Sequence, residues 1–278
     1  MENKKKYKIV ASDLDGTLLN KKQTVSEENF CAISEMTHLG VEFVPTTGRG
    51  MNEIDPLLIE SPDIRYIITS DGAVVFDKST GKPILTRYIA RDDVKLVLDT
   101  IRPYNVFLVA HEGGKTYFDK NKYNSEFLNC CGIDEYFGHI ISQFAEPVED
   151  FESFLISSNE VEMLALFFEL DEATHYCEQI FKDSGRLCAA NSKMCYLEVY
   201  SSDAGKGKTL AAFADKLGID IADVIAVGDS DNDATMIKEA GLGLAVANAC
   251  DALKEIADQT ICDNSEHIAK YVLEKFII

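Results

Sequence analysis

A chain of 278 residues, 46% hydrophobic and 27% charged, has an ordinary globular mix at a length near two domains of about 150 residues, which excludes disordered, collagen-like and coiled-coil architectures. Its 27 basic and 47 acidic residues give a formal charge of −20, and a surface of that sign repels phosphate backbones and anionic lipid, so nucleic acid and membrane surfaces are excluded as general partners. No run approaches the roughly 18 apolar residues of a spanning helix, and Met1 to Lys6 shows no long apolar stretch, so a soluble, cytoplasmic protein without a signal peptide is expected.

Residues 7–11 (YKIVA) read as a short buried strand. Ser26 can cap a helix that reaches about Leu39, with Gly40 as its stop. Residues 41–44 form the next strand, 51–58 a short helix and 66–69 a third strand. Segments 73–77 and 83–89 flank Ser79-Thr80-Gly81-Lys82, whose turn residues predict an antiparallel hairpin. A helix over 92–101, a strand over 106–110, a break at Gly113-Gly114 and a helix over 121–130 follow. Then come a strand over 161–168, a helix over 172–182 and a strand over 194–200. The alternation resumes with helix 206–217, strand 224–227, helix 233–240, strand 243–246 and terminal helices. Strands that alternate with helices predict an α/β fold, a Rossmann-like parallel-sheet core with helices on its faces. Residues 1–84 and 196–278 are assigned to that core, and residues 85–195 to an inserted α+β domain.

Two aspartate groups follow apolar strands. Asp13-Leu14-Asp15-Gly16-Thr17 ends the first, and alternation along an extended chain lets Asp13 and Asp15 point together into the crevice beyond the strand's carboxyl end. Gly228-Asp229-Ser230-Asp231-Asn232-Asp233 ends the strand over 224–227. With the two strands side by side, at least three carboxylates converge, and such a cluster repels itself unless a cation or protons neutralise it. Oxygen ligands alone favour Mg²⁺. The plainer reading is that these aspartates form turns and cap helices. Calcium loops of the EF-hand kind fail on spacing, since Ala234 and Leu18 stand where glycine is required.

Thr46-Thr47-Gly48-Arg49, after the strand over 41–44, offers a hydroxyl, an uncrowded amide and a guanidinium to a phosphate, or is a plain loop. Gly205-Lys206-Gly207-Lys208-Thr209 opens a helix but is not a P-loop, because Ser202 occupies the position of the first glycine. A lysine at a helix N-terminus opposes the helix dipole, so Lys206 calls for an anion, unless both lysines are simply solvated. Eight cysteines without C-x-x-C and five scattered histidines without H-E-x-x-H read as reduced, mostly buried thiols and no zinc site.

D-x-D-G-T, T-G-R, the Lys-Gly helix start and G-D-x-x-N-D, in this order after strands, resemble the haloacid dehalogenase-like hydrolases, and within them the Cof-type phosphatases with a large α/β cap between the second and third motifs. The resemblance implies an aspartyl-phosphate mechanism on a small phosphomonoester. Asp13 would be the nucleophile and Asp15 the general acid and base. Mg²⁺ would be held by Asp13, the main-chain oxygen of Asp15 and Asp229, with Asp233 at a water-mediated or second contact. Thr47, Lys206 and Asn232 would hold phosphate oxygens, assisted by the N–H groups of Leu14 and Gly48. Asp71-Gly72-Ala73 departs from the usual N-G-A: the aspartate removes two N–H donors and adds negative charge, which puts the usual substrate contact there in doubt. Arg49 touches substrate or braces its loop. Sugar phosphomutase activity, a nucleotide-binding module built on Gly205 to Thr209, and a non-catalytic sensor stand as alternatives. Substrate identity and oligomeric state are not legible.

Overall fold

The computed structural model describes residues 7–133, 135–190 and 194–278, so the lysine-rich start, Met1 to Lys6, lies outside the described residues. The chain divides into two compact units. One comprises the stretch up to Gly48, Asp55–Leu85 and Lys206–Ile278, the other Arg49–Ile54 and Thr86–Gly205.

In the first unit, strands β1 (Ile9–Ser12), β2 (Glu42–Pro45), β12 (Val224–Gly228), β13 (Leu242–Ala245) and β14 (Gln259–Thr260) form a parallel sheet in the order β14-β13-β12-β1-β2. The central strands β1 and β12 are buried along their whole length, which is why both read as unbroken apolar runs instead of alternating ones. Strands β3 (Tyr66–Thr69), β4 (Val74–Asp77) and β5 (Lys82–Thr86) make a second small sheet, tied to the end of β2 by a bridge between Thr46 and Ile68. Ser26 accepts a hydrogen bond from the Asn29 N–H and starts the helix Glu27–His38, as its sequence position predicts. The helix predicted over 51–58 is broken instead: a turn at Met51–Glu53 precedes the helix Pro56–Glu60, because Asp55 caps the latter through the Leu57 N–H.

The second unit is built on a six-stranded sheet in the order β10-β11-β9-β6-β7-β8, with β6 (Val106–Glu112), β7 (Lys115–Asp119), β8 (Ala145–Val148), β9 (Val161–Phe168), β10 (Leu187–Ala190) and β11 (Tyr196–Ser201). Alternate side chains of its strands enter different cores. Val106, Leu108, Ala110, Leu164, Leu166 and Phe168 pack with Val97, Leu155 and Phe181 from the helices Arg91–Ile101, Phe151–Ser157 and Asp171–Asp183. Phe107, Val109, Ala165 and Phe167 pack with Cys131 and Ile141 on the other face. Strand β11 pairs with β9 through Tyr196–Phe167 and Val199–Leu164, so residues 196–205, assigned from sequence to the first domain, stand with the second unit. Strands β7, β8 and β10 are absent from the sequence reading: β7 alternates exposed and buried residues over only five positions, and β8 contains a proline. Among the described residues no disulfide joins any of the eight cysteines, and no helix is long and apolar enough to cross a membrane.

Phe181 is fully buried against the second unit's sheet, and Phe181→Ala should lower stability by about 3–5 kcal/mol in urea unfolding, the usual cost of such a truncation.

Candidate active site

Parallel pairing of β1 with β12 matches Ser12 to Val227, so Asp13 and Gly228-Asp229 leave the sheet side by side. The Asp13 N–H continues the ladder by donating to the Val227 carbonyl at 2.9 Å. The chain then enters a wide turn closed by bonds from Leu18 N–H to Asp13 O and from Leu19 N–H to Leu14 O. Gly16 takes φ +77° in this turn, and a Cβ there would collide with the Asp229 carboxylate, so glycine is required for both backbone shape and close approach. Thr17, the last residue of the motif, donates through Oγ1 to Asp229 Oδ1 at 3.3 Å.

Lys206 is the first residue of the helix Lys206–Lys216. Its ammonium is buried, 2.7 Å from Asp13 Oδ1 and 2.6 Å from Asp233 Oδ1, and these two carboxylates are the anions that its place at a helix start calls for. Asp233 uses its second oxygen to accept from the N–H groups of Asp229 and Ser230, at 2.9 and 3.2 Å. One side chain thus joins the lysine to the strand-end loop and also acts as a turn former, so the plainer reading of this aspartate and the chemical one both hold.

Burial, reinforced by Asp233, Asp229 and Asp15, pushes the Asp13 carboxyl well above the usual range against the pull of Lys206. Asp229 is pushed up to about 7 by burial and then by Asp233, with Lys206 and the Thr17 hydroxyl acting the other way. For Lys206 burial disfavours the charge, but Asp13, Asp233 and Asp71 outweigh it and keep the amine protonated. One ammonium against this many acids leaves an excess of negative charge. Asp13, Asp229 and Asp233 each present an oxygen, all within 4.8 Å of one another. Three carboxylate donors without nitrogen or sulfur fit a hard divalent cation of the Mg²⁺ kind. The Asp15 carboxylate is not one of the three.

The loop after β2 is held by Thr46 N–H to Ser12 O and Thr47 N–H to Ile68 O, at 2.8 and 2.9 Å, and Thr47 is buried. Its carbonyl accepts from the Asp71 N–H at 3.1 Å. Ser70 and Asp71 both take left-handed backbone conformations, φ +50° and +51°, a strained pair that bends the chain back toward this loop. The Asp71 carboxylate lies beside Gly48, where a Cβ would come within 3.3 Å of Oδ1, and accepts from Asn232 Nδ2 at 3.1 Å. The Asn232 Oδ1 accepts in turn from the Ser230 hydroxyl at 2.8 Å. Asp71 is therefore a fixed acceptor that sets which way the Asn232 amide points. Sequence reasoning marked Asp71 only for an altered substrate contact, since nothing local links it to a residue 161 positions away.

Three further supports have no role assigned to them by the sequence. Asn248 Nδ2 donates to the Gly16 carbonyl at 2.7 Å, and no motif marks it. The Thr209 hydroxyl donates to the Gly72 carbonyl at 2.7 Å, so the last residue of G-K-G-K-T holds the 70–72 turn. Thr17 was inside a recognised motif, and its hydroxyl was the signal. Leu14 is buried in the turn after β1, whereas Arg49 belongs to the second unit.

The sequence model of the haloacid dehalogenase-like hydrolases matches residues 10–272, and the chain belongs to that family. Two relatives from Bacillus subtilis, YwtE and YcsE, both named 5-amino-6-(5-phospho-D-ribitylamino)uracil phosphatase, are 29% and 31% identical. YwtE aligns over 97% of this chain and 98% of its own length, YcsE over 93% and 91%. Among solved structures, a haloacid dehalogenase-like hydrolase from B. subtilis superposes with a TM-score of 0.82 at 25% identity, covering 96% of this chain and 99% of its own. One from Bacteroides thetaiotaomicron reaches 0.81 at 22% identity, over 97% and 99%. The chain is thus an enzyme, a phosphatase of this superfamily.

Replacing Lys206 with methionine leaves Asp13 and Asp233 buried without their cation and should cost about 3–5 kcal/mol in urea unfolding without divalent metal. The raised Asp229 pKa means that, without metal, stability falls as pH rises from the ordinary aspartate value to about 7. A cation must displace that proton. Mg²⁺ should therefore raise the melting temperature more at pH 8 than at pH 5.5, with a stabilisation at pH 8 of about 2.7 kcal/mol at a hundredfold excess over Kd, and equal shifts at both pH values would contradict the assignment of these oxygens to the metal.

Proposed function

We propose that the protein is a Mg²⁺-dependent phosphomonoesterase that hydrolyses a small phosphorylated metabolite through an aspartyl-phosphate on Asp13. The observation that carries this reading is the buried Asp13 carboxylate, paired with Lys206 and set beside Asp229 and Asp233. Asp13, Asp229 and Asp233, with the main-chain oxygen of Asp15, would hold the metal, which supplies positive charge to the phosphoryl oxygens when bound.

An oxygen of Asp13 attacks phosphorus as the bond to the leaving oxygen breaks, and Asp15 gives its proton to that leaving alkoxide. Water then attacks the phosphorus of the aspartyl-phosphate, Asp15 recovers a proton from it, and phosphate departs as the Asp13 carboxylate is restored. Lys206, the Thr47 hydroxyl, the Asn232 amide and the N–H groups of Leu14 and Gly48 bind phosphoryl oxygens. Because hydrogen bonds already orient Lys206, Asn232 and the Thr47 loop, little reorganisation is needed as charge develops. In this reading the first unit carries the chemistry and the second is the cap that selects the leaving group.

The names of the two B. subtilis relatives make a phosphorylated polyol the first substrate to try. The bond from Thr209 to Gly72 weighs against a nucleotide loop at Gly205 to Thr209. A panel of sugar, polyol and nucleoside monophosphates, assayed for released phosphate with and without Mg²⁺, tests the proposal. Asp13→Asn should lower turnover about 10³-fold or more. Near-normal hydrolysis by that variant would remove Asp13 as nucleophile, and an isomeric sugar phosphate as product would indicate a mutase.

A further inference from the structure

Asp71 stands where three segments of the first unit meet. Its N–H donates to the Thr47 carbonyl and its carboxylate accepts from Asn232 Nδ2, both at 3.1 Å, so one residue of the turn after β3 holds the loop after β2 and the loop after β12. That turn is itself fixed. The Ala73 N–H donates to the Ser70 carbonyl at 3.0 Å, and Thr209, on the helix that Lys206 opens, donates to the Gly72 carbonyl at 2.7 Å. Asp71 is 1% exposed, and Gly48 approaches its carboxylate so closely that a Cβ there would lie 3.3 and 3.4 Å from the two oxygens.

An asparagine amide has nearly the same shape either way round, and only its neighbours fix whether nitrogen or oxygen takes a given place. Ser230 does not fix it: its hydroxyl, 2.8 Å from Asn232 Oδ1, donates as well as accepts and would serve a flipped amide equally. A carboxylate only accepts, so the end of Asn232 that meets Asp71 is the nitrogen. Asp71 is therefore the contact that decides. Asn232 makes no other side-chain hydrogen bond among the described residues, and this half-buried amide keeps its second N–H for a ligand. A flipped Asn232 would offer an oxygen lone pair where that N–H stands and would repel a phosphoryl oxygen. An asparagine at position 71, which donates as readily as it accepts, would tolerate both orientations.

We infer that Asp71 is a positioning residue that keeps Asn232 a hydrogen-bond donor toward the phosphoryl group and ties that donor to the Thr47-Gly48 loop. The inference rests on the function proposed above. Asp71 acts through the amide without touching substrate, and the bond it orients is made to the phosphoryl group before and during the reaction alike. Its loss therefore weakens binding and raises KM, while kcat, set by Asp13 and Asp15, changes less. The aspartate that departs from N-G-A gains a purpose in this chain, since it removes the freedom of the facing amide to turn.

The test uses the full chain with Mg²⁺ and two readouts, KM and kcat for p-nitrophenyl phosphate and the calorimetric Kd for inorganic phosphate. Asp71→Gly removes the carboxylate without strain, because glycine accepts φ +51°. It should raise KM and the phosphate Kd about tenfold, with kcat within about twofold. Asp71→Asn keeps a side chain that suits this backbone but leaves Asn232 divided between two orientations. It should recover most of the loss, with KM and Kd about twofold above wild type, and serves if Asp71→Gly does not fold. In an Asn232→Ala background neither substitution should raise KM or Kd further, since both act through the amide. Wild-type KM and Kd in either Asp71 variant, or an equal rise with and without the Asn232 amide, would overturn the positioning role. Wild-type protein without Mg²⁺-dependent turnover would overturn the phosphatase reading beneath it, and the phosphate Kd would still report on Asp71.

Discussion

Three buried side chains, Asp13, Lys206 and Asp233, meet in a contact that none of the three could sustain alone. The ammonium lies 2.7 and 2.6 Å from carboxylates that are 193 and 27 residues away in sequence, and all three groups are nearly inaccessible to water. Burying a charge without a partner is costly, so the fold must deliver all three together. Parallel pairing of β1 with β12 supplies the two acids from adjacent strand ends. The start of the Lys206 helix supplies the cation, and Gly207 lets that helix approach the backbone of Thr235, where any Cβ would collide.

From this contact a chain of hydrogen bonds runs outward through the first unit. Asp233 holds the N–H groups of Asp229 and Ser230, the Ser230 hydroxyl reaches Asn232, Asn232 reaches Asp71, and Asp71 reaches the Thr47 carbonyl. Loops after β1, β2, β3 and β12 are thereby fixed relative to one another, although they come from distant parts of the sequence. A site whose donors are oriented before substrate arrives spends little free energy on reorganisation. The left-handed strain at Ser70 and Asp71 belongs to the same logic, since the 70–72 turn is braced by Thr209 and holds its acceptor toward Asn232.

The sequence made the two aspartate motifs and their placement after apolar strands legible because β1 and β12 are buried on both faces, and burial of that kind writes a continuous apolar run. The pairing of those strands in the observed register was legible only as a supposition. Asn248, which supports the site through one hydrogen bond to the Gly16 carbonyl, carries no pattern beyond its own polarity, and Ser230 occupies a position that the G-D-x-x-N-D motif leaves open. In the second unit, β7, β8 and β10 were lost because short strands with one exposed face, or with a proline, leave little periodicity. The placement of residues 49–54 had no sequence signal at all: Glu53 and His111 are 58 positions apart and look like ordinary polar residues until the fold buries them together.

The charge of −20 gains a different meaning at the site than on the surface. Across the surface it opposes every anion, and over distances beyond about 8 Å in physiological salt that opposition is screened. Inside the first unit the acids are not spread but gathered, with Asp13, Asp229 and Asp233 around a single lysine, and a hard cation among them would reverse the sign that an approaching phosphoryl group meets. Under the proposed function the two effects select in the same direction. A small phosphomonoester places its few charges against the lysine, the Asn232 amide and the main-chain N–H groups, while a polyanion would have to lay the rest of its charge along an acidic surface.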